Sequence, residues 1–443
     1  MGSPSFKVII AGGGPVGLTA AHALWRAGVD FVLLERAESV IIDSGPDQVL
    51  LPIGLRVLGQ LGLLDSLRNV SSHLTTIGRL DHSGRSMGDI HCFFHEKRCF
   101  GAFPRVLSRH DLTRVLYDSL PDVPQNKVLT NKEVSSISST QEGVSVSCAD
   151  GSSYAGSLVI GADGAESTVN DEQPFLATYR CLWMRFPTNI SPGLYPGFAS
   201  ETHGQDVATQ SFSGKGTTMT RVYERMKKPT RKYTKYSQSD QDTFIERWGH
   251  LPLTANDKLT LRDAYENRIE AGLLSLEEGV VRNWSWSSRV VLAGDAAHAF
   301  TPSTAAGCNN GILDIVALAN ELHAALRDAR AEAGTRDVVP TADRLEAAFR
   351  AYQETRRDAV VEICEDASNT TSLATWGTWA HKSLDRYGLG WGAVQGYFVK
   401  QATSVAANMP VLEYVAGEER LTGKTPWVNP IPSRVLTSGS SYS

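Results

Sequence analysis

Three glycines near the N-terminus, Gly12, Gly14 and Gly17, stand in G-x-G-x-x-G spacing, and a carboxylate, Glu35, follows 18 residues after the last of them. Each type suits one chemical task. A glycine at 12 permits a tight turn, one at 14 lets the backbone approach a pyrophosphate, and one at 17 lets a helix pack closely on a strand. The free N–H groups at the start of that helix would face phosphates, and an acid ending the next strand can accept from a ribose hydroxyl. Further along, Asp163-Gly164 and Gly294-Asp295 each follow a short apolar run, and Gly307-Cys308-Asn309-Asn310-Gly311 opens a long helical pattern. A carboxylate at a strand end can hold a polyol chain, and a helix N-terminus can face an anionic ring edge. Glycine-rich turns and Asp-Gly pairs are also ordinary turn chemistry. A nucleotide site is favoured because the first turn has a strand before it, a helix after it and an acid beyond.

Those residues need elements to position them. Lys7–Ala11 (K-V-I-I-A) reads as a buried strand, 16–27 as a helix stopped by Gly28, and 31–34 as a second buried strand. A strand-helix-strand unit of this kind implies a parallel pair. Helical spacing covers 54–70 and 108–120, with Ser108 as N-cap. In 128–160, Val144, Val146 and Cys148 alternate with Ser145 and Ser147, which is hairpin material. Residues 176–285 read as mostly β, with helices expected at 241–248 and 259–271. A buried strand at 290–293 precedes long helices at 310–330 and 341–365, and a helical C-terminal segment carries Trp376, Trp379, Trp391 and Trp427. The expected fold class is α/β. A Rossmann-like domain with a parallel sheet takes 1–75, 105–175 and 285–372. A β-rich substrate domain, 76–104 and 176–284, is interleaved with it, and 373–443 form the helical segment, whose Ser-Gly-Ser-Ser-Tyr-Ser tail is expected to be disordered.

The order of the motifs, at 12, 163 and 295, resembles the FAD-dependent aromatic hydroxylases of the p-hydroxybenzoate hydroxylase type, over most of the chain to around residue 365. The run G-P-D-Q-V-L-L-P-I-G-L-R-V-L-G-Q-L-G from Gly45 to Gly62, the run Ser108-Arg109-His110-Asp111-Leu112, and residues 294–320 are more specifically similar to fungal FAD monooxygenases of terpenoid (meroterpenoid) and indole-alkaloid pathways. The resemblance implies FAD, with the glycine turn on its ADP half, Asp163 beside the pyrophosphate and the nicotinamide route, and Asp295 on the ribityl chain. It places flavin contacts at Glu35, Val49, Arg109, Asp295 and Cys308, with Gly307 in the same segment. It further implies NADPH or NADH as electron donor, O2 as co-substrate, and an EC 1.14-type monooxygenase working through a flavin C4a-hydroperoxide. The implied reaction is epoxidation or hydroxylation of a bulky apolar secondary metabolite such as a terpenoid or prenylated indole. The chain departs from the pattern at three places: Ala305-Ala306-Gly307 stands for the usual Gly-Gln-Gly, Asn170 for an arginine, and Val49 for a glycine. An oxidase, a dehydrogenase, an FAD enzyme of non-redox cyclisation or rearrangement, and a non-catalytic FAD-binding protein are the alternatives.

On the same resemblance, Tyr223 sits on a strand position that faces substrate. Arg185, Arg180 and His298 are candidates near the reacting end, each with a structural alternative as a sheet-lining or packed side chain. No metal-ligand pattern is read. The formal net charge of -5, with both signs dispersed, argues against nucleic acid as a partner, because phosphate binding needs a basic face. Six cysteines with no C-x-x-C pair suit a reducing compartment, and no apolar stretch is long enough to span a bilayer. The expectation is a cytoplasmic monomer or homodimer, with peripheral membrane contact through the Trp-rich C-terminus left open.

Overall fold

In the computed structural model, residues 6–120, 127–165, 167, 175–232, 234–255 and 258–433 are described, so Asn170 and the Ser-Gly-rich tail lie outside the described residues. A six-stranded sheet runs in the order Ser285–Trp286, Val290–Leu292, Leu158–Gly161, Lys7–Ala11, Asp30–Leu34, Val128–Leu129. All its pairings are parallel except that of the first edge strand. Its strands read as unbroken apolar runs because both faces are covered. Val8, Ile10, Phe31, Leu33, Ile160 and Val291 share one core with the buried sides of the helices Pro15–Arg26 and Ala306–Ala333. Ala11, Leu34, Gly161 and Leu292 therefore end at one edge, and the segments that follow them converge there. Ligands of open parallel sheets bind at that carboxyl edge.

A seven-stranded sheet runs in the order His298–Ala299, Glu270–Val280, Leu176–Pro187, Thr217–Thr230, Val207–Ser213, Ala199–His203, Gly78–Asp81. Side chains alternate between its faces. Leu182, Met184, Phe186, Val207 and Val222 pack on the helices Gln238–Trp248 and Leu261–Glu266. Arg180 shares that face, over the Phe244 ring and paired with Glu224, so it points away from the opposite face that carries Arg185 and Tyr223. The strand Gln48–Leu50 pairs with Arg105–Leu107.

The α/β class is as expected, and several boundaries differ. The 54–70 helix is two, Pro52–Gln60 and Leu64–Val70, separated at Gly62, whose φ is 89°. The helix expected over 259–271 spans only Leu261–Glu266: a Thr260–Asp263 capping box starts it, Asn267 ends it, and Glu270–Val280 is a strand. Beyond Ala342–Ala374 come Trp379–Ser383, a π-helical turn Leu384–Gly388, and Gly392–Ala407. Among the described residues no helix is long and apolar enough to cross a membrane.

Candidate active site

The glycine turn follows from close approach. Gly12 has φ 103°, and a Cβ there would lie 2.4 Å from the Ala162 carbonyl oxygen. A Cβ on Gly17 would lie 1.9 Å from the Gly12 oxygen. Gly14 is the N-cap of the helix Pro15–Arg26, which has no side-chain cap and carries Pro15 in its first turn. A Cβ on Gly14 would meet only an Arg109 nitrogen, at 3.8 Å, so that side of the turn is open. The Gly13 amide donates to Glu35 Oε2 (2.7 Å) and the Ala37 amide to Oε1 (2.8 Å), which fixes the carboxylate while leaving each oxygen a lone pair.

A cavity of ≈ 330 Å³ opens at this edge, and Gly12, Gly14, Glu35, Arg109, Asp163 and Asp295 line it. Arg109 begins the helix Arg109–Asp118, capped by Ser108 Oγ accepting from the Asp111 amide (3.0 Å), and its side chain is exposed to the cavity. An uncapped helix N-terminus beside an arginine is a fitting cradle for a pyrophosphate. Asp295 faces the cavity but is crowded by protein on its other sides, and this burial raises its carboxyl above the ordinary value against the pull of His298 and Arg109. Together these donors and acceptors suit an anionic dinucleotide, so the residues present fit FAD.

The remaining expected cofactor residues lie at or behind the walls. Gly17 packs under the turn. A Cβ on Gly307 would lie 3.5 Å from Asp295 Oδ1. Cys308 is half-buried, and burial pushes its thiol up to about 12, so it stays neutral. The side chain of Val49 packs with Leu74, Phe93, Val106 and Phe212 rather than lining the cavity. Its carbonyl accepts from Asn309 Nδ2 (2.8 Å), which also donates to the Ala305 carbonyl (2.8 Å), while Asn309 Oδ1 accepts from the Leu51 amide (3.0 Å). Asn309 thus ties strand 48–50 to the start of the helix Ala306–Ala333. The N-cap of that helix, Ala305, holds a left-handed φ of 57° that ordinarily favours glycine.

His298 is fully buried, is absent from the cavity lining and holds structure. Its Nε2 meets Asp314 Oδ2 (2.5 Å), which also accepts from the Gly294 amide (3.1 Å). Arg356 Nε donates to Asp314 Oδ1 (2.9 Å) and Arg356 Nη2 to Asn310 Oδ1 (2.8 Å). Burial alone would raise Asp314; His298 and Arg356 hold its carboxyl below the ordinary value. This network fixes the Gly294-Asp295 turn.

Tyr223 is buried on the sheet face opposite the helices Gln238–Trp248 and Leu261–Glu266. Its hydroxyl donates to Gln210 Oε1 (3.0 Å), and Gln210 Nε2 donates to Glu201 Oε1 (2.8 Å) and to the Ser303 carbonyl (3.0 Å). Glu201 Oε2 meets His203 Nε2 (3.0 Å), and His203 Nδ1 meets Asp385 Oδ1 (2.9 Å). Burial alone would lower His203, but Asp385 and Glu201 outweigh it and raise the imidazole to about 9. Arg185 pairs with Asp43 (2.8 Å) and lines a separate cavity of ≈ 280 Å³ with Ser108 and Asp111, so it does not share a cavity with Arg109 and Asp295. Sequence reasoning missed Gln210, Glu201, Asn309, Asp314 and Arg356. Only Asp314 carried a local signal, as a lone carboxylate inside the apolar run G-I-L-D-I-V.

Residues 5–337 match the FAD binding domain family. The FAD-dependent monooxygenase nodM of Hypoxylon pulicicidum is 31% identical over 438 residues, covering 94% of this chain and 90% of that protein. The chain belongs to the FAD-dependent monooxygenases. A second relative of this monooxygenase, verC1 of Penicillium polonicum, is 29% identical over 93% of the chain, which spans only 52% of verC1. The fold of the monooxygenase is similar to that of Klebsiella pneumoniae HpxO, solved with FAD and uric acid, at TM-score 0.72 and 19% identity over 90% of this chain and 96% of that one.

Proposed function

We propose that this monooxygenase inserts one oxygen atom of O2 into a bulky apolar substrate, a terpenoid or a prenylated indole. The second oxygen atom leaves as water, and NADPH or NADH supplies the two electrons. FAD, when bound, supplies the redox and oxygen-activating chemistry. The chain's own residues bind and orient. Gly12, Gly14, Gly17 and the open helix N-terminus take the pyrophosphate with Arg109, Glu35 takes a ribose hydroxyl, Asp163 flanks the phosphates, and Asp295 takes the ribityl chain. Gly307, Cys308 and the carbonyl side of Val49 border the ring. Tyr223 belongs to the substrate wall, Arg185 to its outer margin, and His298 is a positioning residue acting through Asp314. In this reading 1–75, 105–175 and 285–372 form the FAD-binding part, 76–104 and 176–284 the substrate wall, and 373–443 a helical cap.

The observation that supports the reading best is the convergence of four strand ends on one cavity that holds Glu35, Arg109, Asp163 and Asp295. The test supplies the purified holoenzyme with NADPH or NADH, heavy-isotope O2 and a panel of terpenoids and prenylated indoles. One heavy oxygen in the product is expected. Products without it, or nicotinamide oxidation that yields only hydrogen peroxide with every substrate, sink the reading.

A further inference from the structure

The segment from Trp379 to Val405 is anchored firmly, yet it turns its aromatic rings outward. Asp385, in the π-helical turn, is fully buried. Its Oδ1 accepts from Arg79 Nη1 (2.8 Å) and meets His203 Nδ1 (2.9 Å), and its Oδ2 accepts from Trp376 Nε1 (2.8 Å). Gln395 Nε2 donates to the Asp89 and Leu389 carbonyls (3.0 and 2.8 Å). Despite these ties Trp379 is 82% exposed, Tyr387 70%, Trp391 70%, Tyr397 62% and Phe398 49%. Among the described residues the other large exposed hydrophobic side chains are more widely spaced along the chain; here five aromatic rings fall within 20 residues. Concentrations of this kind mark interaction surfaces.

The charge on the stretch selects the partner. Between 378 and 407 the only carboxylate is the buried Asp385, while Lys382, Arg386 and Lys400 are exposed. The helix Cys92–Phe100, which packs against Gly392–Ala407, adds exposed Lys97 and Arg98 and an exposed Phe94. The one exposed carboxylate on 86–101 is Asp89. The face is thus aromatic and cationic on a chain whose net charge is -5. Trp and Tyr prefer the headgroup level of a bilayer, and exposed cations are drawn to anionic headgroups. A second copy docking through the same face would set like charges against each other.

From this we infer that residues 379–405 form a docking face for an anionic lipid surface, on which the enzyme lies without crossing. The apolar rings enter the headgroup layer and the lysines and arginines pair with lipid phosphate and carboxylate. The inference stands independently of the substrate assignment.

The test is sedimentation of the FAD-loaded full chain with vesicles of phosphatidylcholine alone or with about a third phosphatidylserine. Binding to the anionic vesicles, released by salt, is expected. Neutralising Lys382→Gln and Lys400→Gln together should weaken it roughly 25-fold at low salt, about fivefold per cation. The pair Trp379→Ser and Trp391→Ser should weaken it under all salt conditions. Retained flavin absorbance and an unchanged Tm show that each variant is folded. Wild-type protein left in the supernatant with anionic vesicles, or tryptophan variants that sediment like wild type, overturns the inference. So does a wild-type dimer in analytical ultracentrifugation that the tryptophan variants dissolve, since that assigns the face to a second copy.

Discussion

Replacing Arg356 with methionine isolates the interaction that holds the Gly294-Asp295 turn. Arg356 and Asp314 are 2% and 0% exposed and joined at 2.9 Å, and the same guanidinium reaches Asn310 at 2.8 Å. Methionine preserves much of the buried volume but removes both bonds. Asp314 keeps His298 and the Gly294 amide, while the Asn310 oxygen loses the guanidinium. Removing one member of a buried ion pair costs about 3–5 kcal/mol, and the lower end applies here because His298 and the Gly294 amide still partner the buried carboxylate. In a chain of this length that is a fall in Tm of about 3–5 °C. FAD affinity should fall too, since Asp295 sits beside a turn now less firmly held. The assay is thermal unfolding of holoenzyme, followed by tryptophan and flavin fluorescence, together with FAD titration of the apoprotein. Asp314→Asn combined with Arg356→Met leaves neither charge unpaired, so the double variant should lose clearly less than the sum of the two single losses. Additive losses, or an Arg356→Met loss under about 1 kcal/mol, would refute the claim that this pair anchors the turn.

Further outcomes are expected. Arg109→Ala should weaken FAD binding by roughly 10- to 100-fold, the range for a lost charge-assisted hydrogen bond, as read by titration of apoprotein. Ala305→Gly should raise stability by about 0.5–1 kcal/mol, because it relieves the left-handed φ at the helix start by more than the added chain entropy costs; an unchanged or lower Tm counts against it. His203 is raised in the folded state, so its contribution is complete below its ordinary pKa of 6.5 and lost as pH rises through about 9. Wild-type Tm should therefore drop across that window by an amount that His203→Gln does not show. Asp314, held low, contributes fully above the ordinary carboxylate range, and its contribution drains only as pH falls below it.

The nucleotide edge was legible in the sequence because its residues stand in short motifs beside clear apolar runs. Gly17 is required by a contact within its own turn, and Glu35, Asp163 and Asp295 each come within a few residues of a strand end; Gly12 fits the same spacing, although the backbone that crowds it, at Ala162, lies far downstream. Boundaries failed where local and distant preferences competed. Residues 270 and 271 extend a helical pattern, yet they pair with Arg185 and Met184, far upstream. The supporting network failed for the same reason. Asp314 and Arg356 sit on different helices, and Gln210, on the strand Val207–Ser213, reaches the distant 3-10 turn at Ser303, so no spacing announces either. Val49 carried a family expectation and His298 one from its spacing to Asp295; packing placed the first in an apolar cluster and buried the second completely.

The Gln210 side chain has a consequence for tyrosine chemistry. Its nitrogen faces a peptide carbonyl at Ser303, an atom that can only accept, so the amide has one admissible orientation and its oxygen must point at Tyr223. The phenolic proton is therefore already committed. Whatever else meets that hydroxyl finds lone pairs and no hydrogen, and a ligand approaching Tyr223 has to bring the proton of the bond itself.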